Sequence, residues 1–269
     1  MSGAQTCFES YGIHVAISVD DAGLLPSIEQ HFPPGFSRFT DREPDRTYLI
    51  ESSPAGEPTE ISYRLSVEGG QLTRSTNLES VLDSFESDSR IFIGEMTTDR
   101  VFLHAGVVNW RGRAIVIPGR SWTGKSTLVA TLVRAGAAYL SDEYAVLDRL
   151  GQVHPYLKPL ALRDSSGIQT NHTVEALGGI AMTQSMRVGL VLKCEYQKDA
   201  VWKPERLAPS EGAMVLADNS LSIRRQPGLV LEVLRRVTAN TDILGGHRGE
   251  AHQVVDYLLE NYPVWESDD

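Results

Sequence analysis

The sequence predicts a mixed α/β (α+β) fold: a small α+β unit over residues 1–95, then a larger unit over 96–269 built around one glycine-rich strand-to-helix turn. Three observations predict it. Strand-length apolar runs alternate with stretches of helical periodicity along the chain. The texture shifts after Thr98, where the runs become more continuously apolar. The glycine-rich segment 119–126 lies between an apolar run and an amphipathic one. With 269 residues, 41% hydrophobic and 22% charged, the chain can bury a sizeable core and does not read as disordered.

In order along the chain, residues 12–19 are rich in Ile and Val and predict a strand. Residues 22–31 carry Leu24, Leu25 and Ile28 at helical spacing, stopped by Phe32-Pro33-Pro34-Gly35. Strands are expected at 46–51 and 60–67 around a loop at 52–58, with Gly69-Gly70 as a hairpin turn. Asn77 is placed to cap a helix bearing Leu78, Val81, Leu82 and Phe85. In the second unit, 100–109 and 113–118 predict two strands joined by the turn at 110–113. A helix is expected at 125–134, ended by Gly136. A short strand at 137–140 runs into Ser141-Asp142-Glu143, and 144–148 with 152–155 reads as a hairpin about Gly151. Further strands are expected near 187–193 and 212–215, and helices at 229–237 and 251–261. Residues 245–249 read as a loop, and 266–269 as a frayed acidic tail.

Composition narrows the function classes. The formal net charge is −10 with no long basic run, which argues against a nucleic-acid partner. No apolar stretch approaches the roughly 20 residues a membrane helix needs, and residues 1–11 lack a signal-peptide pattern. A cytoplasmic protein is the expectation. Cys7 and Cys194 do not form a disulfide framework and read as reduced thiols. No His/Cys set has zinc-ligand spacing.

The segment Gly119-Arg120-Ser121-Trp122-Thr123-Gly124-Lys125-Ser126 fits G-x-x-x-x-G-K-[ST] in full, with Thr127 directly behind it. Glycines let successive backbone N–H groups turn inward as an anion nest, and the helix N-terminus favours negative charge. This predicts a nucleotide triphosphate site, with ATP as ligand. Lys125 reaches the β- and γ-phosphates and Ser126 places its hydroxyl on Mg²⁺. The loop needs a carboxylate to complete the metal site. Asp142 is expected to supply it from the end of the apolar run 137–140. Glu143 is then free to accept a proton from an attacking hydroxyl. His104 lies on the apolar strand before the loop, where a lone histidine by itself reads as a core residue.

Leu103-His104-Ala105-Gly106-Val107, the loop, and Leu140-Ser141-Asp142-Glu143 together resemble the C-terminal catalytic domain of HPr kinase/phosphorylase. The resemblance covers about residues 100–165. It implies a P-loop kinase fold of the HPr kinase and phosphoenolpyruvate carboxykinase type, using ATP and Mg²⁺ to phosphorylate a protein serine. It also implies that His104, Lys125, Asp142 and Glu143 are catalytic and that Ser126 and Asp142 hold the metal. Glu143 stands where that family has a second Asp. The stretch Glu-Val-Arg-Gly-Leu-Gly typical of the family is absent, and residues 1–95 do not resemble its N-terminal domain.

The expected function is therefore an ATP-dependent kinase acting on a hydroxyl, with a serine of a protein or peptide as acceptor. A small-molecule acceptor would want a deep closed pocket. A non-catalytic, nucleotide-gated binding module would bind ATP without turnover. Lys158 and Arg163 are candidate phosphate-charge neutralisers, and Arg248 a weaker nucleotide contact. A homo-oligomer is compatible with the sequence and not fixed by it.

Overall fold

The computed structural model describes residues 3–55, 61–119, 123–163, 167–263 and 265. The acidic tail expected at 266–269 lies outside them. The chain divides into two compact units, Met1–Thr97 and Thr98–Asp269.

In the first unit, strands β1 (Ala4–Ser10), β2 (Ile13–Val19), β3 (Ser37–Arg38), β4 (Arg46–Pro54), β5 (Ile61–Val67) and β6 (Gly70–Ser75) form a sheet ordered β3-β1-β2-β4-β5-β6. A short helix, α1 (Leu25–Glu29), follows β2, and α2 (Leu78–Met96) ends the unit. Asn77 caps α2, accepting from the Glu79 N–H at 2.9 Å. Val81, Phe85, Ser89 and Ile93 recur on one face of α2 and are buried with Phe8, Ile17, Tyr48, Ile50 and Leu65 from the strands. Strand β1 was not expected from the sequence. It pairs along its full length with β2, and its buried face is carried by Thr6, Phe8 and Ser10, so its apolar alternation is weak.

In the second unit, the long strand β7 (Arg100–Trp110) turns through Arg111 and Gly112, both at positive φ, into β8 (Arg113–Pro118). Two consecutive positive-φ residues give the tight hairpin whose twist matches the strands. Then come α3 (Lys125–Arg134), β9 (Ala138–Ser141), β10 (Tyr144–Asp148), β11 (Gln152–His154) and the small hairpin β12 (Leu160–Arg163) with β13 (Gln169–His172). The chain closes with β14 (Met186–Tyr196), β15 (Glu205–Arg206), α4 (Pro209–Asp218), α5 (Pro227–Ala239), β16 (Asp242–Arg248) and α6 (Ala251–Asn261).

The main sheet runs β11-β10-β7-β8-β14-β16-β15, with β9 also on β7. Strands β8, β14 and β16 are parallel. Pairing of β11 with β14 brings the path from β11 through β7 and β8 back on itself. Helices cover both faces, as a parallel sheet requires. Leu128, Leu132, Val254 and Leu258 from α3 and α6 pack with Ile115, Ile117, Leu190 and Leu244 on one side. Leu216, Val230, Val233 and Leu234 from α4 and α5 pack with Val116, Val191 and Ile243 on the other.

Two sequence expectations are corrected. Residues 212–215 are helical, within α4. Pro209 occupies the first turn and the Glu211 carboxylate accepts from the Ala208 N–H at 2.8 Å, both helix-start features that outweigh the short apolar run. The glycine-rich stretch 245–249 is not a loop up to Arg248, since β16 runs through it between β14 and β15. A Cβ at Gly245 would lie 2.8 Å from Leu207, so glycine serves close packing there.

The β10–β11 turn is held by Asp148. Its carboxylate accepts from the N–H groups of Leu150 and Gln152, each at 2.9 Å, and pairs with His154 Nε2 at 2.9 Å. Burial raises its pKa, but the hydrogen bonds from His154, Gln152 and Leu150 together hold it below its usual value. A depressed carboxylate adds stability that is present at neutral pH and lost as pH falls through the folded-state pKa. Asp148→Asn is therefore expected to cost about 1–2 kcal/mol at pH 7. In urea unfolding, the gap to wild type should shrink steadily below the ordinary value of 3.8.

Candidate active site

Strand β8 is buried from Ala114 to Pro118 and delivers the chain to Gly119, whose N–H donates to the His104 carbonyl at 3.1 Å. The start of the loop is thus tied to β7. Arg120, Ser121 and Trp122 lie outside the described residues. Gly124 sits in the left-handed region, φ 79°, immediately before α3. No acidic residue occupies the first turn of α3, so its N-terminal N–H groups face no carboxylate of their own helix. Lys125 Nζ donates to the Gly119 carbonyl at 3.3 Å. Burial lowers the Lys125 pKa, and the charges of Asp142 and Glu143 oppose that shift.

The acidic pair sits where the chain passes from β9 to β10 along one edge of β7. Val107 pairs with Ser141 on β9 and His104 with Tyr144 on β10, while the Ala105 N–H donates to the Glu143 carbonyl at 3.2 Å. The Ser141 hydroxyl accepts from the N–H groups of Glu143 and Tyr144, at 3.1 and 3.0 Å, and fixes the turn. The two acids therefore project beside the start of α3.

Asp142 is buried and Oδ1 has no hydrogen-bond partner among the described residues. Burial pushes its carboxyl up to about 6. A hydrogen bond from Ser126 and the charge of Lys125 pull the other way, Glu143 adds to the rise, and Lys158 lowers it. A buried carboxylate oxygen without a donor among the described residues, beside a serine hydroxyl, suits a hard divalent cation, and the N-terminus of α3 suits the phosphate that would carry it. The residues present thus fit a magnesium ion carried with a nucleotide phosphate.

His104, Lys125, Ser126, Thr127, Asp142 and Glu143 line a single cavity of about 400 Å³, together with Lys158 and Arg163. Every described catalytic or metal candidate from the sequence meets there. The His104 ring is half-buried, 5.1 Å from the Tyr144 ring. Lys158 Nζ lies 3.3 Å from Glu143 Oε2.

Three contributions were not assigned from the sequence. A Cβ at Gly106 would lie 2.5 Å from Val129 and 3.3 Å from Lys125 Cγ, so only glycine lets α3 lie this close to β7. Its signal was its place two residues after His104. The Tyr139 hydroxyl donates to the Lys158 carbonyl at 2.6 Å. Arg248, weighed only as a nucleotide contact, is 2% exposed and braces the loop: its Nη2 donates to the Gly124 carbonyl at 2.7 Å. No local pattern marks either of these long-range ties.

The raised Asp142 pKa has a cost that can be read in unfolding. A carboxylate whose folded pKa lies above its unfolded value of 3.8 destabilises the fold as pH rises through about 6. Asp142→Asn is expected to stabilise the ligand-free protein by about 1–3 kcal/mol at pH 8, with the gain vanishing below pH 4. The same variant should lose the Mg²⁺-dependent part of nucleotide binding in calorimetry.

No protein-family model matches the chain. A stretch of 110 residues, 39% of the chain, is 29% identical to HPr kinase/phosphorylase of Mycoplasma mycoides subsp. mycoides SC. The match spans 34% of that protein's length, so the chain covers about a third of the curated relative. The chain is thus a distant and partial relative of HPr kinase/phosphorylase.

Proposed function

We propose that this protein is an ATP-dependent, Mg²⁺-requiring phosphotransferase acting on a hydroxyl, with a serine of a protein or peptide as the acceptor. The observation that carries the reading is the convergence in one cavity of Lys125, Ser126, Glu143 and Asp142, whose Oδ1 has no hydrogen-bond partner among the described residues. The distant likeness to HPr kinase/phosphorylase supports the same reaction class.

When bound, Mg²⁺ and ATP supply the transferable phosphoryl group and its charge-neutralising metal. The chain's own residues do the positioning. Lys125 and the N-terminal amides of α3 hold the phosphate charge. Ser126 and Asp142 would hold the metal. Glu143 takes the proton of the acceptor hydroxyl onto its carboxylate. His104 lines the same cavity and orients the phosphate end of the site. The cavity is also lined by the cations Lys125, Lys158 and Arg163, which suits charge building up on a transferring group.

The test is transfer of label from γ-labelled ATP to candidate protein and peptide acceptors. Lys125→Ala should lose both ATP binding and transfer. Glu143→Gln should keep Mg²⁺–ATP affinity within about threefold and lose transfer by about a hundredfold or more. Nucleotide binding by the wild type with no transfer to any acceptor would contradict the kinase reading and favour a nucleotide-gated binding module.

A further inference from the structure

We propose that Lys158 is a positioning residue that divides the acidic pair, turning Glu143 toward the acceptor side of the cavity and leaving Asp142 alone to serve the metal. The inference rests on the phosphotransferase reading and assigns a residue to its least explained feature. Asp142 and Glu143 are neighbours in sequence and line the same cavity. Two carboxylates at that spacing would both be drawn to one divalent cation. A carboxylate spent on the metal is a poor proton acceptor, so something must hold the two apart.

The structure supplies a cation paired with Glu143. Lys158 Nζ lies 3.3 Å from Glu143 Oε2, with both side chains about a quarter exposed. Lys125 on α3 and Lys158 both act on the acidic pair, and the close ion pair of Lys158 is with Glu143.

Lys158 is also held in place from behind. The buried Tyr139 hydroxyl donates to its carbonyl at 2.6 Å, and Tyr139 lies on β9, the strand whose end carries the acids. The Tyr139 backbone is fixed by hydrogen bonds with Ile180 and Met182, each at 2.8 Å. The Tyr156 N–H donates to the Leu140 carbonyl at 3.0 Å, tying the same segment to the same strand. Pro159 follows Lys158 and restricts its backbone to extended conformations. Lysine and acids are therefore parts of one braced unit.

Two readouts test this. The first is independent of turnover: Mn²⁺ affinity of the ADP complex, measured by electron paramagnetic resonance. Lys158→Met should tighten Mn²⁺ binding by about threefold to tenfold, because Glu143 loses the cation that competes with the metal for it. Lys158→Met combined with Glu143→Gln should return to the wild-type value. Lys158→Gln serves as the second variant should the methionine disturb folding. The second readout is transfer itself. Lys158→Met should lower kcat by about tenfold or more with the KM for ATP within about threefold, and Lys158→Arg should restore most of kcat. Unchanged or weakened Mn²⁺ affinity in both variants would overturn the proposal. So would a loss of nucleotide affinity of about tenfold with kcat retained, which would make Lys158 a phosphate ligand. If the wild type transfers to no acceptor, the kinase reading fails, and the Mn²⁺ measurement still decides the role of Lys158.

Discussion

The site depends on the close approach of α3 to β7 at Gly106. A side chain there would meet Val129 and Lys125, and the helix would have to lift away from the strand. With the helix down, the N-terminus of α3 comes level with the β9–β10 crossing on the edge of β7. Lys125 and Ser126 then face Asp142, although these residues reach the site by separate elements. Gly119 tied to His104, and Arg248 bracing the Gly124 carbonyl, keep the loop at both ends in register with that contact. The covered parallel strands β8, β14 and β16 provide the rigid floor from which the loop departs.

That geometry forces charge into a place water would otherwise serve. Burial raises Asp142 and lowers Lys125, and each is opposed by the other's charge. The residual imbalance is what a phosphate-borne cation would relieve. A site of this kind sacrifices stability in the ligand-free protein so that its ligand is bound by groups already in position. The Lys158–Glu143 pair lies at the more open edge of the same charge array, where solvent screens it more and a side chain can reorient at less cost.

Much of this was legible in the sequence because it is local. The loop pattern, the strand before it, the helix after it and the acids at the end of 137–140 are all contiguous signals, and Gly124 to Thr127, Asp142 and Glu143 line one cavity. The Arg111–Gly112 turn was legible for the same reason. One misreading is local: the short apolar run 212–215 suggests a strand, but Pro209 and Glu211 start a helix there. The others are tertiary. Gly245 and Gly246 suggested a loop because glycine is a local breaker, whereas in β16 they make room for Leu207 and Trp202. Strand β1 carries too few apolar residues to announce itself and is held by pairing with β2. The ties from Tyr139 to Lys158 and from Arg248 to Gly124 span 19 and 124 residues, beyond the reach of any periodicity.

The central claim is that phosphate and metal are held between the N-terminus of α3 and Asp142. The most direct test is a crystal structure of the protein with Mg²⁺ and a non-hydrolysable ATP analogue. The account predicts phosphate density over the N-terminus of α3 within reach of Lys125 Nζ, and a metal bonded to Ser126 and Asp142 with Glu143 outside its ligand shell. Nucleotide bound elsewhere on the chain, or a metal bound without Asp142, would contradict it.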